Sequence, residues 1–131
     1  ELSLYAEQKG VMLGIESNGM QATIDVLLEE VNSPYLKVYY DTGNLLRSGE
    51  DVYSVIKDWG AENICQIHLK PFNSEGAIFG NGETDLEKLR KSIEQSGYRD
   101  WLVFEAGPGK KTLGVPYAKK NLIGIMRMLG E

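Results

Sequence analysis

The chain has one cysteine and one histidine in 131 residues, and no apolar run long enough to cross a bilayer. Each scarcity excludes something. With Cys65 alone, no intrachain disulfide can form, so packing must hold the fold together and a reducing, cytoplasmic setting is expected. The absence of a run of roughly 18 apolar residues argues against a membrane helix. No basic start precedes an apolar stretch and a small-residue cleavage site, so no signal peptide is expected. Basic residues are also in deficit: 14 Lys and Arg face 19 Asp and Glu, for a formal charge of −5. Without a basic stripe, binding to a phosphate backbone is disfavoured and no nucleic-acid partner is expected.

What is present is ordinary for a globular protein, with 42% hydrophobic and 25% charged residues. The length suits one domain over residues 1–131. Its first ten residues, ELSLYAEQKG, read as the end of a preceding helix: Leu2, Tyr5 and Ala6 share a face and Gly10 stands where helices stop.

Four short apolar runs then alternate with helical patterns. The runs VMLGI, LKVYY, ICQIHL and WLVFEA place strands near 11–16, 36–41, 64–69 and 101–106. Between them Ile24, Leu27, Leu28 and Val31 have helical spacing, as do Val52, Val55, Ile56 and Trp59 before Gly60. Leu86, Leu89 and Ile93 repeat it before Gly97, with Thr84 or Asp85 as the cap, and Ala118, Leu122, Ile125 and Leu129 close the chain. Alternation of this kind specifies an α/β fold with a parallel sheet and right-handed crossovers, here (βα)4.

Counting along the strands by twos separates two faces. Leu13 and Ile15, Val38 and Tyr40, Cys65, Ile67 and Leu69, and Leu102 and Phe104 form an apolar face expected beneath the helices. The other face carries Ile64 and Gln66 and ends in Glu16, Asp41, His68 and Glu105, all at the carboxyl ends of the strands, where α/β folds build their sites. A single histidine in an apolar strand, taken alone, reads as a hydrogen-bonded core residue more readily than as a ligand. Three converging carboxylates, however, repel unless the strands splay or a cation sits between them. Three carboxylates and one imidazole suit Mn²⁺, Mg²⁺, Co²⁺ or Zn²⁺. A thiolate ligand is not expected, since parity turns Cys65 toward the helices.

The loops add detail. DTGN reads as a tight turn through Gly43, with Asn44 three residues beyond Asp41. GNGETDL is glycine-rich but matches no phosphate-binding fingerprint. Lys70 shares the face of His68 and reads as a contact for a substrate oxyanion or phosphate, or as a solvated lysine.

With these residues in hand, the chain resembles the C-terminal half of the xylose isomerase-like TIM-barrel superfamily. That group includes ketose 3-epimerases, sugar-phosphate isomerases, inosose dehydratases and AP endonucleases. The stretches that carry the likeness are GVMLGIESN, VYYDTGN, ICQIHLKPF, GNGETDLEKL and WLVFEAG, and they run through nearly the whole chain in order. The ligand spacings are 41 − 16 = 25, 68 − 41 = 27 and 105 − 68 = 37 residues, about one βα unit each. The resemblance implies that Glu16, Asp41, His68 and Glu105 ligate a divalent metal. It further implies that Glu16 and Glu105 are catalytic, exchanging a substrate proton through a cis-enediolate during isomerisation or epimerisation of a sugar or sugar phosphate. Loss of water from a polyol of the inosose type, or a non-catalytic structural fragment, are the alternatives. Asn44, where epimerases often carry a histidine, and Lys70 would bind substrate. With one histidine in the chain, a nuclease with three zinc ions is disfavoured. A complete barrel takes about eight strands and about 250 residues. A homodimer, or an N-terminal half-barrel supplied from elsewhere, is therefore expected.

Overall fold

The computed structural model describes residues 1–72, 78–80, 84–105 and 114–131. Strands β1 (Leu13–Glu16), β2 (Leu36–Asp41), β3 (Ile64–Leu69) and β4 (Leu102–Phe104) form one parallel sheet in the order β1-β2-β3-β4. Helix α1 (Leu2–Lys9) precedes the sheet. Helices α2 (Gln21–Val31), α3 (Thr42–Arg47), α4 (Val52–Asn63) and α5 (Leu86–Ser96) connect the strands, and α6 (Gly114–Leu129) follows β4. No helix is long and apolar enough to cross a membrane among the described residues.

The strands fall where the apolar runs place them, with β1 beginning at Leu13 and β4 at Leu102. Residue 106, expected at the end of β4, lies outside the described residues, as do residues 81–83 of the glycine-rich loop. Local chemistry sets the helix ends. Gly10 and Gly97 close α1 and α5 at φ 62° and 79°, a left-handed conformation that costs glycine little. The Asp51 and Asp85 carboxylates accept hydrogen bonds from the backbone N–H groups of Tyr53 and Lys88, capping α4 and α5.

The core lies between the sheet and α4 and α5. Val38, Tyr40, Ile67 and Leu69 project from the strands onto Val52, Val55, Ile56, Trp59 and Leu89, all at most 2% exposed. The Tyr40 hydroxyl donates to the Val52 carbonyl, which satisfies its one buried polar group. Ile67→Ala is expected to lower unfolding stability by about 2–5 kcal/mol, measured by urea denaturation, because the rigid sheet cannot close around the void.

Three expectations are corrected. The first concerns parity in β3. Val38 pairs with Ile64 but Tyr39 pairs with Gln66, so Cys65 is the extra residue of a β-bulge. The bulge resets the alternation: Ile64 turns into the core at 3% exposure, and Cys65 leaves the helix face. The Cys65 sulfur instead comes within 2.9 Å of where a Cβ on Gly14 would sit, beside the Tyr39 ring, on the face that carries Glu16. The second concerns DTGN. It forms the first turn of α3 rather than a tight turn, with Asp41 as the cap accepting from Asn44 N at 2.7 Å. The third concerns α6, where the inward face is Tyr117, Asn121, Gly124 and Met128. Gly124 is required there, because a Cβ would stand 2.4 Å from the Phe79 carbonyl oxygen. Ile125 still packs on the core, but Ala118 is exposed, as are Leu122 and Leu129 at 54% and 49%.

Candidate metal centre

Parallel strands in register bring their carboxyl ends to one level, and the four candidate ligands stand there in a row. Glu16 pairs with Tyr39 on the neighbouring strand, Asp41 pairs directly with His68, and Glu105 follows the last residue of β4. One ligand atom from each of Glu16, Asp41, His68 and Glu105 lies within 4.8 Å of the others. Their settings differ. Asp41 is fully buried, His68 and Glu105 are half-buried, and Glu16 is open to solvent.

Each side chain is held in place. The Asp41 Oδ1 atom accepts from Asn44 N at 2.7 Å, and its own N–H donates to Ser17 Oγ at 2.9 Å. This leaves Oδ2 directed at the site. The Asn44 Nδ2 group donates to Glu16 Oε1 at 3.2 Å and to Asn18 Oδ1 at 3.0 Å. Arg47 fixes the orientation of that amide by donating to Asn44 Oδ1, and is itself anchored by a 3.0 Å bond to the Phe72 carbonyl. The His68 ring meets the edge of Tyr39 with centroids 4.2 Å apart and planes at 88°.

His68 provides the test of whether these residues suit a metal. Its buried Nδ1 lies 2.6 Å from Glu105 Oε2 and 3.8 Å from Asp41 Oδ2, with no well-aligned hydrogen bond among the described residues. An imidazole nitrogen in direct contact with carboxylate oxygens, facing the same point as they do, suits a shared cation. The charge agrees. Three carboxylates face the single Lys70 ammonium, an acidic excess that a divalent cation would balance. Hard oxygen donors with one imidazole fit Mg²⁺, Mn²⁺, Co²⁺ or Zn²⁺.

Lys70 lies among the ligands, with Nζ 3.2 Å from Asp41 Oδ2 and 2.8 Å from Glu105 Oε1. The electrostatics follow from this contact. For Asp41, burial raises the carboxyl pKa and outweighs the Asn44 and Lys70 bonds that lower it. For Glu105, burial also pushes upward, but Lys70 and His68 together win and hold its pKa below the usual range. For Lys70, burial opposes the charge, and Glu105 and Asp41 more than restore it.

Reasoning from sequence assigned no role to Ser17, Asn18, Tyr39, Thr42 or Arg47. Tyr39 had a signal in its parity, since it shares the site face. Arg47 had none, because its reach to Asn44 depends on α3 being a helix.

A parallel βα sheet with a candidate oxygen and nitrogen ligand set at its strand ends defines an α/β class with a possible metal site. Residues 1–121 match the xylose isomerase-like TIM-barrel family model, and the chain belongs to that family. Curated relatives include an inosose dehydratase of Geobacillus thermodenitrificans, 30% identical over 67% of this chain and 37% of the relative. The inosose dehydratase of Clostridium beijerinckii is 26% identical over 81% of this chain and 44% of the relative. The chain thus spans less than half the length of these relatives. Among solved structures, a D-psicose 3-epimerase in the presence of D-fructose superposes with a TM-score of 0.78 at 15% identity, covering 96% of this chain and 51% of that one. The IOLI protein, solved with a binding zinc atom, also gives 0.78, at 16% identity over 98% and 52%. At these identities the superpositions establish the fold.

Proposed function

We propose that this chain carries the metal-binding half of a divalent-metal-dependent sugar or sugar-phosphate isomerase or epimerase. The observation behind this reading is the convergence of Glu16, Asp41, His68 and Glu105, one ligand atom from each lying within 4.8 Å of the others. A divalent ion held by these four residues would polarise a substrate carbonyl and stabilise the negative charge that develops on its oxygen. The rest of the chemistry falls to the chain. Glu105, kept ionised by Lys70 and His68, accepts the proton from the carbon beside the carbonyl. Glu16, delivered by the strand at the other end of the row and oriented by Asn44, passes a proton drawn from solvent to the opposite face. Asn44 is 8% exposed and bonded to Glu16 and Asn18, so it serves substrate binding chiefly by setting Glu16.

A second reading, dehydration of a cyclic keto-polyol, is favoured by the inosose dehydratases among the curated relatives. It starts from the same proton abstraction but expels the neighbouring hydroxyl. Incubation with Mn²⁺ and either a ketohexose or an inosose in deuterated water separates the readings. Deuterium uptake without loss of water supports epimerisation, and loss of water from the inosose supports dehydration. Neither reaction from either substrate would overturn both.

We further propose that a second copy of this chain covers the apolar surface left open here. Among the described residues, β1 and β4 each have a strand on one side only, an edge that proteins ordinarily pair or protect. Leu2, Leu4 and Tyr5 of α1 and Val115, Leu122, Ile123 and Leu129 of α6 are all at least 49% exposed. Sedimentation equilibrium is expected to show a dimer, and a strict monomer at all concentrations would reject it.

A further inference from the structure

Lys70 is built into the centre. Its backbone N–H donates to Thr42 Oγ1 at 2.9 Å, and the same hydroxyl lies 2.9 Å from the Lys70 carbonyl oxygen. The tip of β3 is thereby tied to the start of α3. The aliphatic stem crosses over Gly43, where a Cβ would come within 2.9 Å of Lys70 Cγ and 3.0 Å of Lys70 Cβ. Glycine at that position leaves the lane open. The lane ends with the ammonium on Asp41 Oδ2 and Glu105 Oε1, and the side chain is only 12% exposed.

A lysine that served only to meet substrate would have no need to bond two carboxylates of the ligand set. We infer that Lys70 is an internal counter-cation that occupies part of the metal's electrostatic place in the ion-free site and must give way, or be repelled, when the ion enters. The inference rests on the metal site proposed above. Its physical basis is that an ammonium and a divalent cation compete for the same oxygens. The ammonium supplies charge where the ion would, and keeps the buried Asp41 paired while the ion is away. Lys70 therefore makes metal binding weaker and more readily reversible, while holding the empty site together. The opposite role is also chemically reasonable: a scaffold that orients Asp41 and Glu105 for the ion would make binding tighter.

Titration with Mn²⁺ separates the two roles, with free ion followed by electron paramagnetic resonance and unfolding followed by circular dichroism. Lys70→Met is expected to bind Mn²⁺ at least about tenfold more tightly than the wild type, because the carboxylate cluster loses its one ammonium. The ion-free variant should melt at a lower temperature than the ion-free wild type, and saturating Mn²⁺ should raise its melting temperature by more. Lys70→Gln, which keeps a polar tip but no charge, should also bind more tightly and guards against a folding defect in the methionine variant. Unchanged or weaker Mn²⁺ binding by both variants would overturn the inference and favour the scaffold role. Failure of the wild type to bind Mn²⁺, with no difference from His68→Ala, would instead overturn the metal site itself.

Discussion

Replacing His68 with alanine is expected to raise the Mn²⁺ or Zn²⁺ dissociation constant by more than about 100-fold, beyond the roughly 10–100-fold cost of losing an outer partner of a metal ligand. His68 is the only histidine in the chain and the only nitrogen among the four candidate ligands. Its Nδ1 is the one buried side-chain nitrogen or oxygen without a well-aligned hydrogen bond among the described residues. Removing the ring leaves an all-oxygen set that favours harder ions, so Zn²⁺ should suffer more than Mg²⁺. Competition with a chromophoric chelator measures the change, and an unaltered far-ultraviolet spectrum would confirm that the sheet persists. The ring lies beside Tyr39 at the site and not among the core residues, so the fold should tolerate its loss. Equal metal affinity in wild type and variant would return His68 to the status of an ordinary strand residue.

Glu105→Gln is expected to slow exchange of the substrate proton with solvent by about 10²–10⁴-fold, the usual contribution of a positioned base. The substitution keeps the shape and one oxygen donor but removes the proton acceptor. Loss of metal binding and loss of the base can be separated by measuring Mn²⁺ affinity in the same variant. A modest affinity change with a large rate change would mark Glu105 as the base, and a rate loss that disappears at saturating Mn²⁺ would reduce it to a ligand. The wild-type dependence on pH follows from the same contacts. Lys70 and His68 hold the Glu105 carboxyl below its usual range, so its capacity to accept a proton is retained through neutral pH and lost only as pH falls through that depressed value. Asp41, lifted by burial, takes up its proton at a higher pH than an exposed aspartate would.

Much of the framework was legible from spacing alone. Period two in the strands and period 3.6 between them are local properties, so the strand positions, the helices α2, α4 and α5, and the parallel order could be read directly. Glu16, Asp41, His68 and Glu105 followed from counting, because a parallel sheet in register carries equivalent positions to one level. Their convergence survives the bulge in β3, which lies before Gln66 and leaves the phase of Ile67, His68 and Leu69 untouched.

Other features had no local signature. The bulge arises where β3 must match β2, and it is this pairing that moves Ile64 into the core and Cys65 out of it. Helix α3 forms because Asp41 caps it from the end of a strand. The inward face of α6 is chosen by the close approach of Gly124 to the Phe79 backbone, against the pull of its leucines. Lys70 reaches Asp41 and Glu105 only because Gly43, distant in the chain, leaves it a path. Periodicity was sufficient for the alternation of elements and for placing the four candidate ligands at one level, since both depend on residues counted along one strand or helix. Where strands bulge, which helix face turns inward, and which cation sits among the carboxylates depend on contacts between segments far apart in sequence, and these exist only once the chain has packed.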